Sequence, residues 1–295
     1  MAVPFSNDAE ILASQQITEA VMTGTSYRMV GSFSESLSGL LRHLELIRML
    51  TADELRRTHT GSVVGLYWIL VKPLLLVGLY SVLFGVVFQA RGGPSQTTAE
   101  YLLVLLTGLL PWLIFSEAVS AAAGSITANT SLVTKIVFPI EILPVSKVLG
   151  TTVSGLVGLV LLVTLLASLH QVGWTLALLP LLLVVQLFFT IGLAWFLSAV
   201  NVAVRDTSQV LPLALMVWMF LSPVVYTTEM VPKAFAIVFL CNPMSYFLEG
   251  YRMILLANEP PTLLIWMVVT SMAITFFLSG FWVLCRMRAL IADVI

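Results

Sequence analysis

The sequence predicts an all-α protein that crosses a membrane six times, and three observations carry that expectation. Hydrophobic residues fill 59% of the 295 positions and charged ones only 10%, with a mean hydropathy of +1.02; a soluble domain keeps about a quarter of its residues charged. Residues 148–204 contain no Lys, Arg, Asp or Glu, which is room for two crossings at roughly 20 residues each and a tight turn. Six spans also sort the basic residues. Arg28, Arg42, Arg48, Arg56, Arg57, Lys135, Lys147, Arg205, Arg286 and Arg288 fall on one side, Arg91, Lys233 and Arg252 on the other, and Lys72 within a span. An excess of Lys and Arg marks the cytoplasmic side and places both termini there. A seventh crossing would put Arg286 and Arg288 outside.

Residues 1–36 are rich in Ser and Thr and lack a basic start followed by an apolar core, so they read as a mobile cytoplasmic tail and not a signal peptide. The tail has room for one short helix near Ile11 to Met22. Residues 37–60 change character. Leu37, Leu40, Leu41, Leu44 and Ile47 recur at steps of three and four, with Arg42, His43, Glu45 and Arg48 between them. That is an amphipathic helix with one apolar stripe, suited to the membrane interface or to packing on the bundle.

A bundle of spans occupies residues 61–288. Its first span, 63–88, is interrupted by Lys72-Pro73, and the lysine stem can snorkel to the near interface. Gly61 and Gly65 would admit a close helix neighbour. A polar loop follows, and then the span 101–123, with Pro111-Trp112 near its middle and a lone Glu117. An acid inside a span faces a cavity or a partner, either as a structural group or as a proton relay.

The segment 129–144 reads NTSLVTKIVFPIEILP. Its apolar residues recur at helical spacing and two prolines punctuate it. It is either a short cytoplasmic surface helix docked on a partner or a plain loop. Spans 145–169 and 174–200 are joined at His170, an interfacial loop residue. Span 208–226 follows Arg205-Asp206. In 231–258 an apolar stretch is split by Asn242-Pro243, so each half is too short to cross; it reads as two short helices that dip in and return on the far side, where irregular backbone needs protein or water around it. The last span is 262–284, and residues 289–295 end the chain in the cytoplasm.

Several function classes are disfavoured. No Gly-rich loop ending in Gly-Lys-Ser/Thr is present, so ATP is not bound in that manner. No His-Glu-x-x-His or paired-cysteine metal site and no cluster of acids occurs. No cofactor is expected on this chain, and it is not read as an enzyme. A net charge of −1 gives no reason to expect nucleic acid. Cys241 and Cys285 are too few for a disulfide framework and read as small buried apolar residues.

Four stretches in order carry a resemblance. They are Gly61-Ser62-Val63-Val64-Gly65 with Trp68 and Pro73; Gly108-Leu109-Leu110-Pro111-Trp112 with Phe115 and Ser116; Asn129 to Leu132 running on to Phe138-Pro139 and Glu141-Ile142-Leu143-Pro144; and Asn201 with Arg205-Asp206, then Leu221 to Tyr226 and Asn242-Pro243. Between about Leu40 and Arg288 the chain resembles the membrane (permease) subunit of type-2 ABC transporters that export polysaccharides such as O-antigen and teichoic acid.

The resemblance implies a homodimeric channel in the bacterial inner membrane and two copies of a separate ATP-binding subunit, which holds the ATP and Mg. The cargo it implies is a glycan on undecaprenyl pyrophosphate. It implies that segment 129–144 is a coupling helix that contacts the ATPase through Leu132, Lys135, Phe138 and Glu141, and that the split segment 231–258 caps the channel exit. Thr58-His59-Thr60 stands where the family carries a basic cluster, so Arg56, Arg57 and Arg205 are expected to meet the pyrophosphate, whose charge suits a guanidinium. Ile140 stands where the family is often basic. Glycan ring faces stack on aromatics, and Trp112, Phe115, Trp218, Phe220, Tyr226 and Tyr246 are candidates to line the channel; belt aromatics facing lipid are the other reading. Two rival functions are export of a small molecule or drug by the same fold, and ion-coupled secondary transport. The latter would need midplane charges and internal repeats, and only Lys72 and Glu117 qualify.

Overall fold

The computed structural model describes residues 42–57, 67–80, 82–83, 98–130, 138–169, 172–226 and 236–294. The expectations for the N-terminal tail, for Gly61 and Gly65, for Leu132 and Lys135, for His170 and for the first residues of the split segment lie outside them. Every element among the described residues is helical. In chain order these are α1 (Leu44–Arg57), α2 (Trp68–Tyr80), α3 (Thr98–Ala123), α4 (Ser125–Ala128) and α5 (Ile142–Ser168); then a 3-10 turn (Trp174–Leu178), α6 (Leu179–Ala203), α7 (Thr207–Leu221), α8 (Ala236–Cys241) and α9 (Pro243–Arg252); and finally a π turn (Met253–Ala257) and α10 (Leu263–Val294).

Among the described residues, four helical stretches are long and apolar enough to cross a membrane: Ala99–Ala123, Ile142–Ser168, Trp174–Ala203 and Leu263–Arg288. The apolar parts of α2 and α7, Leu70–Tyr80 and Thr207–Leu221, are shorter. The 15 residues of α7 reach only about 22 Å at 1.5 Å each. It stops at Leu221 because Ser222-Pro223 follows; the residue before a proline is pushed out of the helical region, and Ser222 is extended, with ψ 148°. The last helix, by contrast, runs ten residues past the predicted end at Leu284.

Two buried clusters organise the bundle. The first surrounds α3, which packs against α5, α6 and α9 through Phe115, Phe189 and Phe247. The second gathers Phe138, Ile140, Ile142 and Leu143 with Trp195 of α6, Phe281 of α10, and Leu46 and Ile47 of α1. Of the stripe predicted for α1, Leu37, Leu40 and Leu41 lie outside the described residues; Ile47 is buried as expected, but Leu44 is 57% exposed and Leu46, off the stripe, is 4% exposed. Helix α1 turns the Leu46–Ile47 edge onto α5, where Gly150 lets Glu54 approach. Cys241 is exposed and Cys285 half-buried, so the burial expected of Cys241 is not found.

Contacts sort the elements by end. One end holds α1, the Thr127–Asn201 contact between α4 and α6, the start of α5 and the C-terminal part of α10. The opposite end holds Tyr101 against Val225, Thr175 against Ile254, and Arg252 against the turn after α7.

The tightest helix pair is α6 with α10, and glycine sets its spacing. A Cβ on Gly280 would lie 1.9 Å from the Gly192 carbonyl oxygen, and one on Gly192 would lie 2.3 Å from the Phe276 backbone. With no hydrophobic force between helices in lipid, such close backbone approach is how spans associate. Gly280→Leu must push the helices apart. Its expected cost is about 3 kcal/mol or more, the upper range for overpacking. Thermal denaturation in detergent should show a clearly lowered midpoint, whereas Gly78→Leu, at a glycine with open space around it, should be near neutral.

Candidate functional site

The start of α5 is a tight turn. Pro139 contributes no N–H, and its carbonyl accepts from Ile142 N at 3.0 Å. The turn buries Phe138, Ile140, Glu141, Ile142 and Leu143. Glu141 is fastened twice. Its backbone carbonyl accepts from Trp195 Nε1 at 2.9 Å, and its Oε1 accepts from Arg288 Nη2 at 2.9 Å. The carboxylate side chain is 2% exposed and the guanidinium side 24%. Trp195 is held against Phe277 and Phe281, with ring centroids 4.9 and 5.0 Å away. Burial pushes the Glu141 carboxyl above the ordinary glutamate value, and Arg288 opposes that shift. Glu141 Oε2 and Arg288 Nε make no hydrogen bond, so the pair rests on one direct contact.

Three more contacts surround this turn. Lys147, one and a half turns into α5, pairs with Glu54 of α1. Asn201 Nδ2 donates to Thr127 Oγ1 at 3.1 Å, and Asn201 Oδ1 accepts from Ser208 N at 3.0 Å. Asn201 thus ties α4 to the α6–α7 turn. The described residues on both sides of 131–137 are therefore anchored to the bundle, Thr127 on one side and Phe138 to Leu143 on the other.

The predicted contact residues fall into distinct places. Leu132 and Lys135 lie outside the described residues. Phe138 and Glu141 are inside the chain's own core, so neither offers a surface to a partner; they fix the turn from within. Arg56 is exposed at the end of α1 and Arg205 is exposed between α6 and α7, while Arg57 is the last residue of α1. Arg288, which pairs with Glu141, was read from the sequence only as a basic residue at the end of a span.

The predicted channel aromatics divide as well. Trp112 and Phe115 are 2% and 0% exposed. Phe115 stacks on Phe189 at 5.6 Å, and Trp218 meets both Trp112 and Phe115 edge-on. A side chain enclosed by its own chain cannot line a path outside it, so Trp112 and Phe115 are core. Phe220 is 56% exposed. Tyr226 and Tyr246 are half-buried, and their hydroxyls donate to Phe220 O at 2.7 Å and Leu240 O at 3.0 Å.

The far end has its own polar lock. Asn242 Oδ1 accepts from Met244 N and from Trp218 Nε1, and its amide donates to Leu221 O and Ser222 Oγ. All four hydrogen-bonding positions of that buried amide are used, and it caps α9 as an N-cap asparagine should. Arg252 is 7% exposed. Its Nη2 faces the carbonyls of Pro223, Val224 and Tyr226 at 2.6, 3.2 and 3.1 Å. Gly108 is required beneath them, because a Cβ there would lie 2.5 Å from Val224 O. Two of the quoted motifs, around Gly108 and around Leu221–Asn242, therefore meet in one place. Within the spans, Gln186 donates to Pro111 O at 3.0 Å and accepts from the Tyr251 hydroxyl at 2.6 Å. Lys72 pairs with Glu117 across α2 and α3 at 2.6 Å.

Residues 45–256 match the model of the ABC-2 type transporter family. The chain is similar to an O-antigen export system permease protein RfbA of Myxococcus xanthus, 30% identical over 225 residues that cover 75% of this chain and 84% of the relative. It is also similar to an RfbA of the same description from Klebsiella pneumoniae, 27% identical over 213 residues, covering 70% of this chain and 79% of the relative.

The unequal exposure of the Glu141–Arg288 pair sets an order of costs. Arg288→Ala strands an enclosed carboxylate and is expected to cost roughly 3 kcal/mol. Glu141→Ala leaves a guanidinium that reaches solvent, and should cost less. Thermal denaturation of the two variants in the same detergent checks this, and equal losses would contradict it.

Proposed function

Because the chain belongs to the ABC-2 type transporter family, we propose that it is the membrane subunit of an ATP-driven exporter that moves O-antigen polysaccharide across the bacterial inner membrane. The observation that carries this reading is the similarity along three-quarters of the chain to a permease named for O-antigen export. The chain provides the passage. Hydrolysis of ATP, with its Mg, takes place on a separate subunit present in two copies.

The finer topology is part of the same proposal. Six crossings, the four long apolar helices together with spans 63–88 and 208–226, place both termini in the cytoplasm. Support comes from the clustering of Arg56, Lys147, Arg205 and Arg288 with the elements of one end, as the excess of basic residues on the cytoplasmic face requires. At the opposite end, α8 and α9 are 6 and 10 residues long, about 9 and 15 Å. That suits a pair that dips in and returns without crossing. Two copies of the chain form the channel, and apolar faces on α2 and α7, including Leu74, Leu79, Leu213 and Val217, are available to the second copy or to lipid.

Coupling follows from the turn at Phe138–Leu143. Closure of the ATP-binding subunits pushes on residues 129–137, with Leu132 and Lys135 in contact. Phe138 and Glu141 carry the push into the bundle through Trp195 on α6 and Arg288 on α10. Arg56, Arg57 and Arg205 meet the pyrophosphate of an undecaprenyl-linked glycan at the cytoplasmic face. Phe220, Tyr226 and Tyr246, beside Trp218, present aromatic surface to the sugars near the exit.

Deleting the gene from its host should remove the long glycan from the cell surface, and the parent chain should restore it. Glu141→Gln should insert and co-purify with the ATP-binding subunit as the parent does. Its export should fall roughly tenfold, equivalent to about 1.4 kcal/mol at the coupling step. Immunoblots of surface glycan, beside membrane levels of the chain, read the result. Unchanged surface glycan in Glu141→Gln would remove Glu141 from the coupling route.

A further inference from the structure

Two charges lie within the spans, 45 residues apart, and the fold brings them together. Lys72 Nζ of α2 donates to Glu117 Oε1 of α3 at 2.6 Å. The pair is open, with 58% of the lysine side chain and 41% of the glutamate side chain exposed. It edges a groove of about 140 Å³ between α2, α3 and α5, well above the ~10–15 Å³ that one water needs on the same measure. Gly150, Gly155 and Gly158 give the α5 side little bulk, and Trp68, Thr151 and Ser154 also line it. Glu117 stands six residues before the end of α3, and Thr151 nine residues after the start of α5. The groove therefore sits about 9–14 Å inside the end that carries the basic residues.

A half-open ion pair is not left against acyl chains; such groups face water or protein. The groove also offers a particular chemistry. An ammonium supplies donors, a carboxylate supplies acceptors, Thr151 carries a hydroxyl, and Ser154, whose proton goes to Gly150 O at 3.2 Å, supplies an acceptor. Trp68, 38% exposed, adds a flat apolar face, and Leu76, Leu110, Leu113 and Ile114 make much of the remaining lining apolar. The charges cancel as a pair: an anion in the groove meets Glu117, and a cation meets Lys72. What fits is a neutral ligand rich in hydroxyls with one apolar face.

We propose that this groove is a saccharide-binding subsite on the cytoplasmic half of the translocation path. Neutral sugar residues hydrogen-bond there to Lys72, Glu117, Thr151 and Ser154 and lie against Trp68. The inference rests on the reading of the chain as a glycan exporter and adds which face of the protomer is wetted at that depth. It uses none of the predicted channel aromatics.

The test uses the chain assembled with its ATP-binding subunit, with Cys241→Ser and Cys285→Ser as background. Thr151→Cys and Ser154→Cys are exposed in proteoliposomes to a membrane-impermeant maleimide, with Ile274→Cys on an exposed apolar face of α10 as control. Both groove cysteines should label and the control should not. Polysaccharide released from lipopolysaccharide by mild acid, at ten times its dissociation constant, should slow groove labelling roughly tenfold, and inorganic pyrophosphate should leave it unchanged. Unlabelled groove cysteines, no protection by polysaccharide, or protection by pyrophosphate would each overturn the proposal. A second arm replaces Lys72 and Glu117 together by Met, a swap that preserves volume and is tolerated by packing. Export by that variant should fall roughly tenfold at parental membrane levels, and parental export would overturn the assignment. Export by the parent complex, measured alongside, separates the two readings: export without protection removes the subsite alone, and no export removes the transport function on which it rests.

Discussion

A carboxylate enclosed almost completely by the chain, with one guanidinium as its charged partner, holds one end of this bundle together. Glu141 cannot be solvated where it sits, so Arg288 must reach it. That requirement fixes more than two residues. Arg288 reaches Glu141 only because α10 stays helical past Leu284, and only because Gly192 and Gly280 let α6 and α10 touch backbone to backbone. Trp195, on the same face of α6, then closes over the turn and bonds to the Glu141 carbonyl. Remove the close crossing and the pair loses its geometry; remove the pair and the turn that enters α5 loses its anchor.

The opposite end solves a different problem with the same residue type. The turn after α7 leaves the carbonyls of Pro223, Val224 and Tyr226 without helical partners, and unsatisfied backbone is costly away from water. Arg252 turns one nitrogen toward all three, and Asn242 completes the neighbouring turn. Both ends are thus tied down by buried polar groups, while α2 and α7 present exposed apolar faces and α2 meets α3 through an open ion pair. In the proposed mechanism this division is useful. A push on the coupling turn moves a fixed unit of α5, α6 and α10, and the less enclosed helices form the wall that yields.

Much of this was legible in the sequence, and the exceptions share a cause. The charge-free run at 148–204, the turn before α6 and the break at Asn242-Pro243 are local signals; α5 and α6 fill the run, and α9 begins at Pro243. The pairs were not legible. Lys72 and Glu117 stand 45 residues apart, Glu141 and Arg288 147 residues apart, and no local pattern announces which span faces which. The glycines at 192 and 280 form no spaced motif on either helix. Trp112 and Phe115 follow a proline in an apolar run, a context common to core and channel alike. On α1 the burial of Leu46 in place of Leu44 was not legible, because Leu44, Leu46 and Ile47 crowd together and only the docking face on α5 selects among them.

The central claim is that this chain is a passage driven by a separate ATPase through the turn anchored at Glu141. The most direct measurement is flux of lipid-linked glycan into proteoliposomes containing either the chain alone or the chain with its ATP-binding subunit. The account expects flux only in the two-subunit vesicles supplied with ATP and Mg, and none in either preparation under an imposed proton or sodium gradient. Gradient-driven movement of glycan by the chain alone would contradict it.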